Sequence, residues 1–407
     1  MAYWYSQGLE AISASLTNNR PHYSLLAAAG VSLSVSLLLR VLLSDQPMEG
    51  KVLQSPLAAM QSANMDSSEQ PLPLDVLPGA RDVQTPYGSI RVYEWGPEDG
   101  PKVLLVHGIT TPCISLGGLA HALVDRGCRV ILFDLFGRGY SDCPSDLPQD
   151  ERLFASQIFL ALSSSPISWT GANSSKFCLV GYSLGGGIAA SFASFFPQLL
   201  TALVLLAPAG LIRDSHISFR TRFLYSGGLP DRLLKYLSGN RLRAGPLSTP
   251  KPGHKKFQIK DALTEELPSQ GGADAQILSR SHPNVTVPSA VSWQINNHGG
   301  FVHAFVSSMR HGPILAQRQR ESWGRLGKYL SEQKRLSTEV QIANGLPNGK
   351  VVIMCGENDS IIIQDELSDD ATAILGSDVI FKYFSAGHEF PSTKYEEVAQ
   401  IISDTLL

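Results

Sequence analysis

A series of short apolar runs constrains this chain more than any other feature. "KVLLVHG" (102–108), "RVILFDLFGRG" (129–139), "KFCLVG" (176–181) and "TALVLLAPAG" (201–210) each read as a strand that is apolar on both faces. Helix-like stretches separate them, among them "SLGGLAHALVDRG" (115–127), which ends on a glycine. Strands without polar alternation, spaced by helices, make a parallel sheet covered on both sides. The pattern stops after Gly210 and resumes at "KVVIMCGEND" (350–359). A helical stretch, the strand "VIFKYFSAG" (379–387) and a last helix "STKYEEVAQIISDTLL" (392–407) complete it. Ahead of the first run, "RDVQTPYGSIRVYEW" (81–95) reads as a hairpin around Pro-Tyr-Gly. The fold class is α/β, with a mostly parallel central sheet.

The interruption sets the domain plan. Residues 211–349 are too many for a loop. They read as an inserted helical lid, with "GGFVHAFVSSMR" (299–310) and "QRQRESWGRLGKYLSEQKRL" (317–336) as helices and the basic run 317–335 as a solvated face. The core is then 81–210 plus 350–407. Upstream lie a short N-terminal segment (1–23) and "SLLAAAGVSLSVSLLLRVLL" (24–43). Leu25 to Leu43 is long enough for roughly 28 Å of helix, close to the hydrocarbon thickness of a bilayer. Its only charge, Arg40, stands near the end. The expectation is a single-pass membrane anchor, with no charge bias strong enough to orient it. Residues 44–80, rich in Ser, Gln, Pro and Met, read as a linker.

Composition excludes some classes. A formal net charge of −3 offers no basic surface for nucleic acid. Ten histidines and five cysteines form no C-x-x-C or H-x-x-x-H spacing, so no metal is implied. The cysteines (Cys113, Cys128, Cys143, Cys178 and Cys355) are odd in number, and two lie within strand-like runs. Reduced buried thiols follow, which favours a reducing compartment. Sequons occur at Asn173, Asn284 and Asn358. A glycan on Asn358 would crowd the candidate acid next to it, which favours a cytosolic placement of the catalytic domain.

The third strand leads into "GYSLGGG" (181–187). A G-x-S-x-G at the carboxyl end of a parallel strand forces a sharp turn into a helix and lifts its serine to the tip. Ser183 is therefore a candidate nucleophile, and the Leu184 N–H a candidate oxyanion donor. Such a serine needs a base, and the base an orienter. The order Ser, acid, His is met by Asp359, after the strand "VVIMCG", and His388, after "VIFKYF". Glu357 neighbours the acid, and Asp214 stands after the preceding strand as the alternative. The second oxyanion donor is expected from the loop after "VLLVHG", at the N–H of Ile109, with Thr110 next in line. His107 reads as a scaffold residue, and the lid histidines His298, His303 and His311 as ordinary polar residues.

From about Arg81 to the C-terminus the chain resembles the α/β-hydrolase superfamily. The matching pieces are His107-Gly108, "DLFGRGYSD" (134–142), "GYSLGG" (181–186), "GEND" (356–359) and "GHEF" (387–390), in that order. The resemblance implies a Ser183 nucleophile, an Asp359 acid, a His388 base and a lid after "TALVLLAPAG". It is similar to the monoacylglycerol-lipase and meta-cleavage-hydrolase side. An HGGG loop is absent, with "HGITTP" in its place, and "SIII" stands after the acid where many relatives carry a proline. Members with this serine cleave esters, thioesters, amides or certain C–C bonds without a cofactor. The expected activity is hydrolysis of an apolar, lipid-like ester. The alternatives are a soluble pathway ester, lactone or C–C substrate, and a silent receptor or scaffold.

Overall fold

The computed structural model describes residues 28–37, 40, 52–62, 70–171, 176–226, 228–244 and 277–406. Its strands are β1 (Val52–Leu53), β2 (Ala80–Thr85), β3 (Gly88–Trp95), β4 (Lys102–Val106), β5 (Arg129–Phe133), β6 (Cys143–Pro144), β7 (Phe177–Tyr182), β8 (Leu200–Leu206), β9 (Val351–Gly356) and β10 (Ile380–Phe384). Eight of them form one sheet in the order β10-β9-β8-β7-β4-β5-β3-β2. The six from β10 to β5 run parallel, and β3 and β2 close one edge antiparallel. In the middle, Leu104 pairs with Ile131 on one side and Leu179 on the other. All five residues of β4 and all six of β7 are buried, which is why these runs carry no polar alternation. The fold is the α/β-hydrolase fold anticipated above.

Helices flank the sheet in two groups. Gly117–Asp125 packs with Tyr395–Leu406. Leu184–Phe195 packs with Glu151–Ser163 and Ala316–Gln333, and the latter crosses Gln364–Leu375. That crossing is close: a Cβ on Gly327 would sit 2.0 Å from the Ile374 carbonyl oxygen. Between β8 and β9 the helices Phe219–Tyr225, Asp231–Arg243, Val287–Asn297 and Phe301–His311 form a cap. The helix Ala316–Gln333, read from sequence as a solvated face, turns its other side inward. Trp323 and Leu326 are fully buried there.

Two upstream expectations change. Residues 28–37 and 40 are helical. Among the described residues no helix is long and apolar enough to cross a membrane. The anchor expected over 24–43, and the membrane-anchored localisation built on it, are therefore withdrawn. Residues 24–27, 38–39 and 41–43 lie outside the described set. The stretch expected as a linker also does more. Strand β1 pairs with β6, and Leu57, Met60, Leu72, Val76 and Leu77 are buried in the main core. A run without periodicity still places its few apolar side chains on the body.

All five cysteines are free and buried. Among the described residues no group of His, Cys, Asp and Glu is arranged to hold a metal.

Candidate active site

The turn after β7 explains its glycines. Ser183 has φ 54° and ψ −117°, a strained conformation for a residue with a Cβ. Its N–H donates to the Leu206 carbonyl at 2.9 Å, and its carbonyl accepts from Gly186 and Ala209 N–H, each at 2.9 Å. The chain is thus pinned on both sides of the serine. A Cβ on Gly181 would lie 2.2 Å from the Gly185 carbonyl oxygen, and one on Gly185 2.2 Å from that of Val106. Only hydrogen fits at either place. Ser183 is 8% exposed, at the head of the buried helix Leu184–Phe195.

His388 and Asp359 reach the same point from adjacent strands. Asp359 follows β9 and His388 follows β10. Glu357 N–H donates to Phe384 O at 2.8 Å and Asn358 N–H to Ala386 O at 3.0 Å, which ties the two turns together. His388 Nε2 lies 2.9 Å from Ser183 Oγ, and its Nδ1 lies 2.6 Å from Asp359 Oδ2. The other Asp359 oxygen accepts the N–H groups of Ile361 and Ile362, both at 2.8 Å. The carboxylate is thereby oriented with one oxygen left for the imidazole. His388 is fully buried, and the Tyr182 ring lies 5.2 Å from its own. The structure brings Ser183, His388 and Asp359 into one line. Asp214 instead stands on a short turn, Asp214–His216, at the root of the cap.

Leu184 opens the elbow helix, so its N–H stands at the positive end of the helix dipole. Ile109 is buried in the loop after β4. His107, on that loop, accepts Leu135 N–H at Nε2 (2.8 Å), and its Nδ1 lies 2.9 Å from Gly108 O. Nε2 accepts, so Nδ1 carries the proton and donates. Burial, helped by the Arg138 charge, pushes the His107 pKa down to about 3. It is a neutral scaffold residue. Asp134 has a scaffold role too, its oxygens accepting Cys113 and Tyr140 N–H at 2.9 and 3.0 Å. His298 accepts Gly300 N–H and faces Ser141 O, inside the cap–core seam.

A family model described as alpha/beta hydrolase fold matches residues 101–394. The chain belongs to the α/β-hydrolase fold family. An uncharacterised protein of Mycobacterium tuberculosis is 34% identical over 241 residues, 54% of this chain and 68% of that one. A serine hydrolase-like protein of Mus musculus is 29% identical over 132 residues, 32% of this chain and 40% of that protein. Among solved structures, the enol-lactonase of Burkholderia xenovorans superposes with a TM-score of 0.51 at 12% identity, covering 78% of this chain and 96% of that one. A meta-cleavage product hydrolase of Pseudomonas fluorescens gives 0.50 at 17%, covering 80% and 96%. At such identities the superpositions speak for the fold alone.

Two residues beside the site of this α/β hydrolase escape sequence reasoning. Arg138 and Gln294 are fully buried against the loop after β4. An arginine in a glycine turn and a glutamine on a helix look like surface residues in one dimension.

Proposed function

We propose that this α/β hydrolase is a serine esterase working through an acyl-enzyme. The observation that supports it most is the hydrogen-bonded line from Ser183 Oγ to His388 Nε2 and from Nδ1 to Asp359. His388 takes the proton of Ser183 as Oγ attacks the ester carbonyl. Leu184 and Ile109 N–H hold the oxyanion, and Asp359 stabilises the imidazolium. The imidazolium returns the proton to the leaving alcohol. Water, deprotonated by His388, then attacks the acyl-serine, and the acid leaves with Ser183 restored. The step needs no metal or organic cofactor.

The acyl group is apolar in this reading. A cavity of about 270 Å³ opens in the cap, where Ile217, Tyr225, Met309, Ile314 and Leu315 share the lining with polar side chains that include Asp214, Arg222, Gln317 and Arg318. Pro313, just before this lining, abuts the elbow helix: a Cβ on Gly187 would meet its carbonyl oxygen at 2.1 Å.

Fluorophosphonate labelling of the full chain, wild type beside Ser183→Ala, tests the nucleophile. Labelling should vanish in the variant, and kcat on p-nitrophenyl esters should fall by about 10⁴-fold or more. Across the ester series kcat/KM should rise with acyl length, then drop once the chain outgrows the cavity. A flat series would remove the apolar acyl assignment. A folded wild type that takes no label would make the protein a silent scaffold.

A further inference from the structure

Three consecutive carbonyls of the loop after β4 are each held by a side chain. His107 Nδ1 donates to Gly108 O at 2.9 Å. Arg138 Nε donates to Ile109 O at 3.2 Å. Gln294 Nε2 donates to Thr110 O. The donors come from different parts of the fold: the end of β4, the turn after β5 and the cap helix Val287–Asn297. Among the described residues every peptide is trans. In a planar trans peptide the carbonyl and the next N–H point to opposite sides. Holding Gly108 O therefore aims Ile109 N–H, holding Ile109 O aims Thr110 N–H, and holding Thr110 O aims Thr111 N–H. With the planes on both sides of Ile109 pinned, its two torsions are fixed. The same is true of Thr110.

Arg138 and Gln294 do more than touch this loop. Arg138 also donates to Phe136 O at 2.9 Å, to Gln149 Oε1 at 3.3 Å and to Ser308 Oγ at 2.9 Å. Ser308 belongs to the cap helix Phe301–His311. Gln294 accepts Gly139 N–H at 3.0 Å, so it joins the loops after β4 and β5 to the cap. Both side chains are completely buried, a costly place for a guanidinium and an amide unless every donor is used.

We propose that Arg138 and Gln294 are positioning residues through which the seated cap aims the oxyanion loop. The proposal rests on the esterase reading above. An oxyanion donor contributes most when it is aimed before charge develops, because no reorganisation is then needed in the transition state. With the cap seated, Arg138 holds Ile109 O and Gln294 holds Thr110 O, so the torsions of Ile109 and Thr110 are fixed against the peptide that His107 holds, and the Ile109 N–H keeps its direction. Without these two donors the loop swings, substrate still binds, and the transition state loses its fixed dipoles.

The test uses the full chain with Gln294→Met and Arg138→Lys, on an oxygen ester and its thionoester twin. Thiocarbonyl sulfur accepts hydrogen bonds poorly, so the thionoester draws less on the oxyanion donors. For Gln294→Met, kcat on the oxygen ester should fall between about tenfold and a hundredfold, with KM changed less than about threefold. Thionoester turnover should fall less than about threefold. Arg138→Lys keeps the charge on a single donor nitrogen, and should show a smaller loss with the same bias. Asn296→Ala, on the exposed face of the same cap helix, should change neither substrate. Equal losses on both esters, or none, in folded variants would overturn the proposal. Amide exchange over residues 108–111 reads the same device without turnover: it should quicken in Gln294→Met, and unchanged exchange would overturn it too. If wild type takes no fluorophosphonate label, the esterase reading fails, and exchange alone decides whether the two residues position the loop.

Discussion

At the scale of single residues, buried neutral histidines set a pH limit on stability. His107 has its pKa pushed down to about 3 and His298 to about 4, both chiefly by burial. An unfolded chain titrates the same rings near 6.5. Between those values the unfolded state binds protons that the folded state refuses, so stability rises with pH there. The contribution is complete above pH 6.5 and drains away as pH falls toward 4 and then 3. Urea midpoints measured from pH 7.5 to 4.5 should decline steadily. His298→Gln, which can keep a donor toward Ser141 O, should flatten part of that slope. A wild-type midpoint constant across the range would contradict the neutral assignment. The triad candidates were readable at this scale because chemistry demands rare residue types at strand ends. Ser183, Asp359 and His388 each sit one turn beyond an apolar run. Arg138 and Gln294 were not readable: their partners are backbone carbonyls, which carry no sequence signature, and Gln294 lies 184 positions from the carbonyl it holds.

At the scale of elements, one buried carboxylate fastens the antiparallel edge to its neighbours. Glu94 on β3 pairs with Arg81 of β2 at 2.7 Å and Arg129 of β5 at 3.0 Å, and accepts Ser165 Oγ at 2.7 Å. Its side chain is wholly buried, while both arginines are partly exposed. Removing the charge leaves two guanidinium groups facing a neutral amide. Glu94→Gln should lower unfolding free energy by about 3 kcal/mol, read by urea denaturation. The rate of fluorophosphonate labelling should not change, because the hairpin edge lies far along the sheet from β7. A shift below about 1 kcal/mol would mean that water already satisfies the pair. The strands themselves were legible, since a buried parallel strand is apolar at every position. Residues 52–62 and 70–79 were not. Their apolar side chains are sparse, so no period emerges, and only the partner surface shows which ones it takes.

For the whole molecule, the body begins earlier than its sheet. Leu57, Met60, Leu72, Val76 and Leu77 are core residues, and the Tyr140 hydroxyl donates to Leu72 O. Five such side chains contribute roughly 10 kcal/mol of burial at about 2 kcal/mol each, comparable to the net stability of a typical domain. A chain cut to residues 81–407 should therefore bind hydrophobic dyes and aggregate on mild heating. A cut to 51–407 should keep the wild-type melting profile. Equal melting of the two would show that the upstream layer contributes little.

The five thiols add an experimental handle. Cys178 and Cys355 lie in central strands β7 and β9, Cys128 lies just before β5, Cys113 follows the loop after β4, and Cys143 pairs with β1. Burial raises every one of their pKa values, to about 12 for Cys143 and Cys355. Only thiolates attack alkylating reagents. The native protein is thus chemically mute toward maleimides and iodoacetamide, and each modified cysteine dates an opening event at a known address. Mass spectrometry of timed alkylation would show whether the layer over Cys143 detaches before the sheet around Cys178 yields.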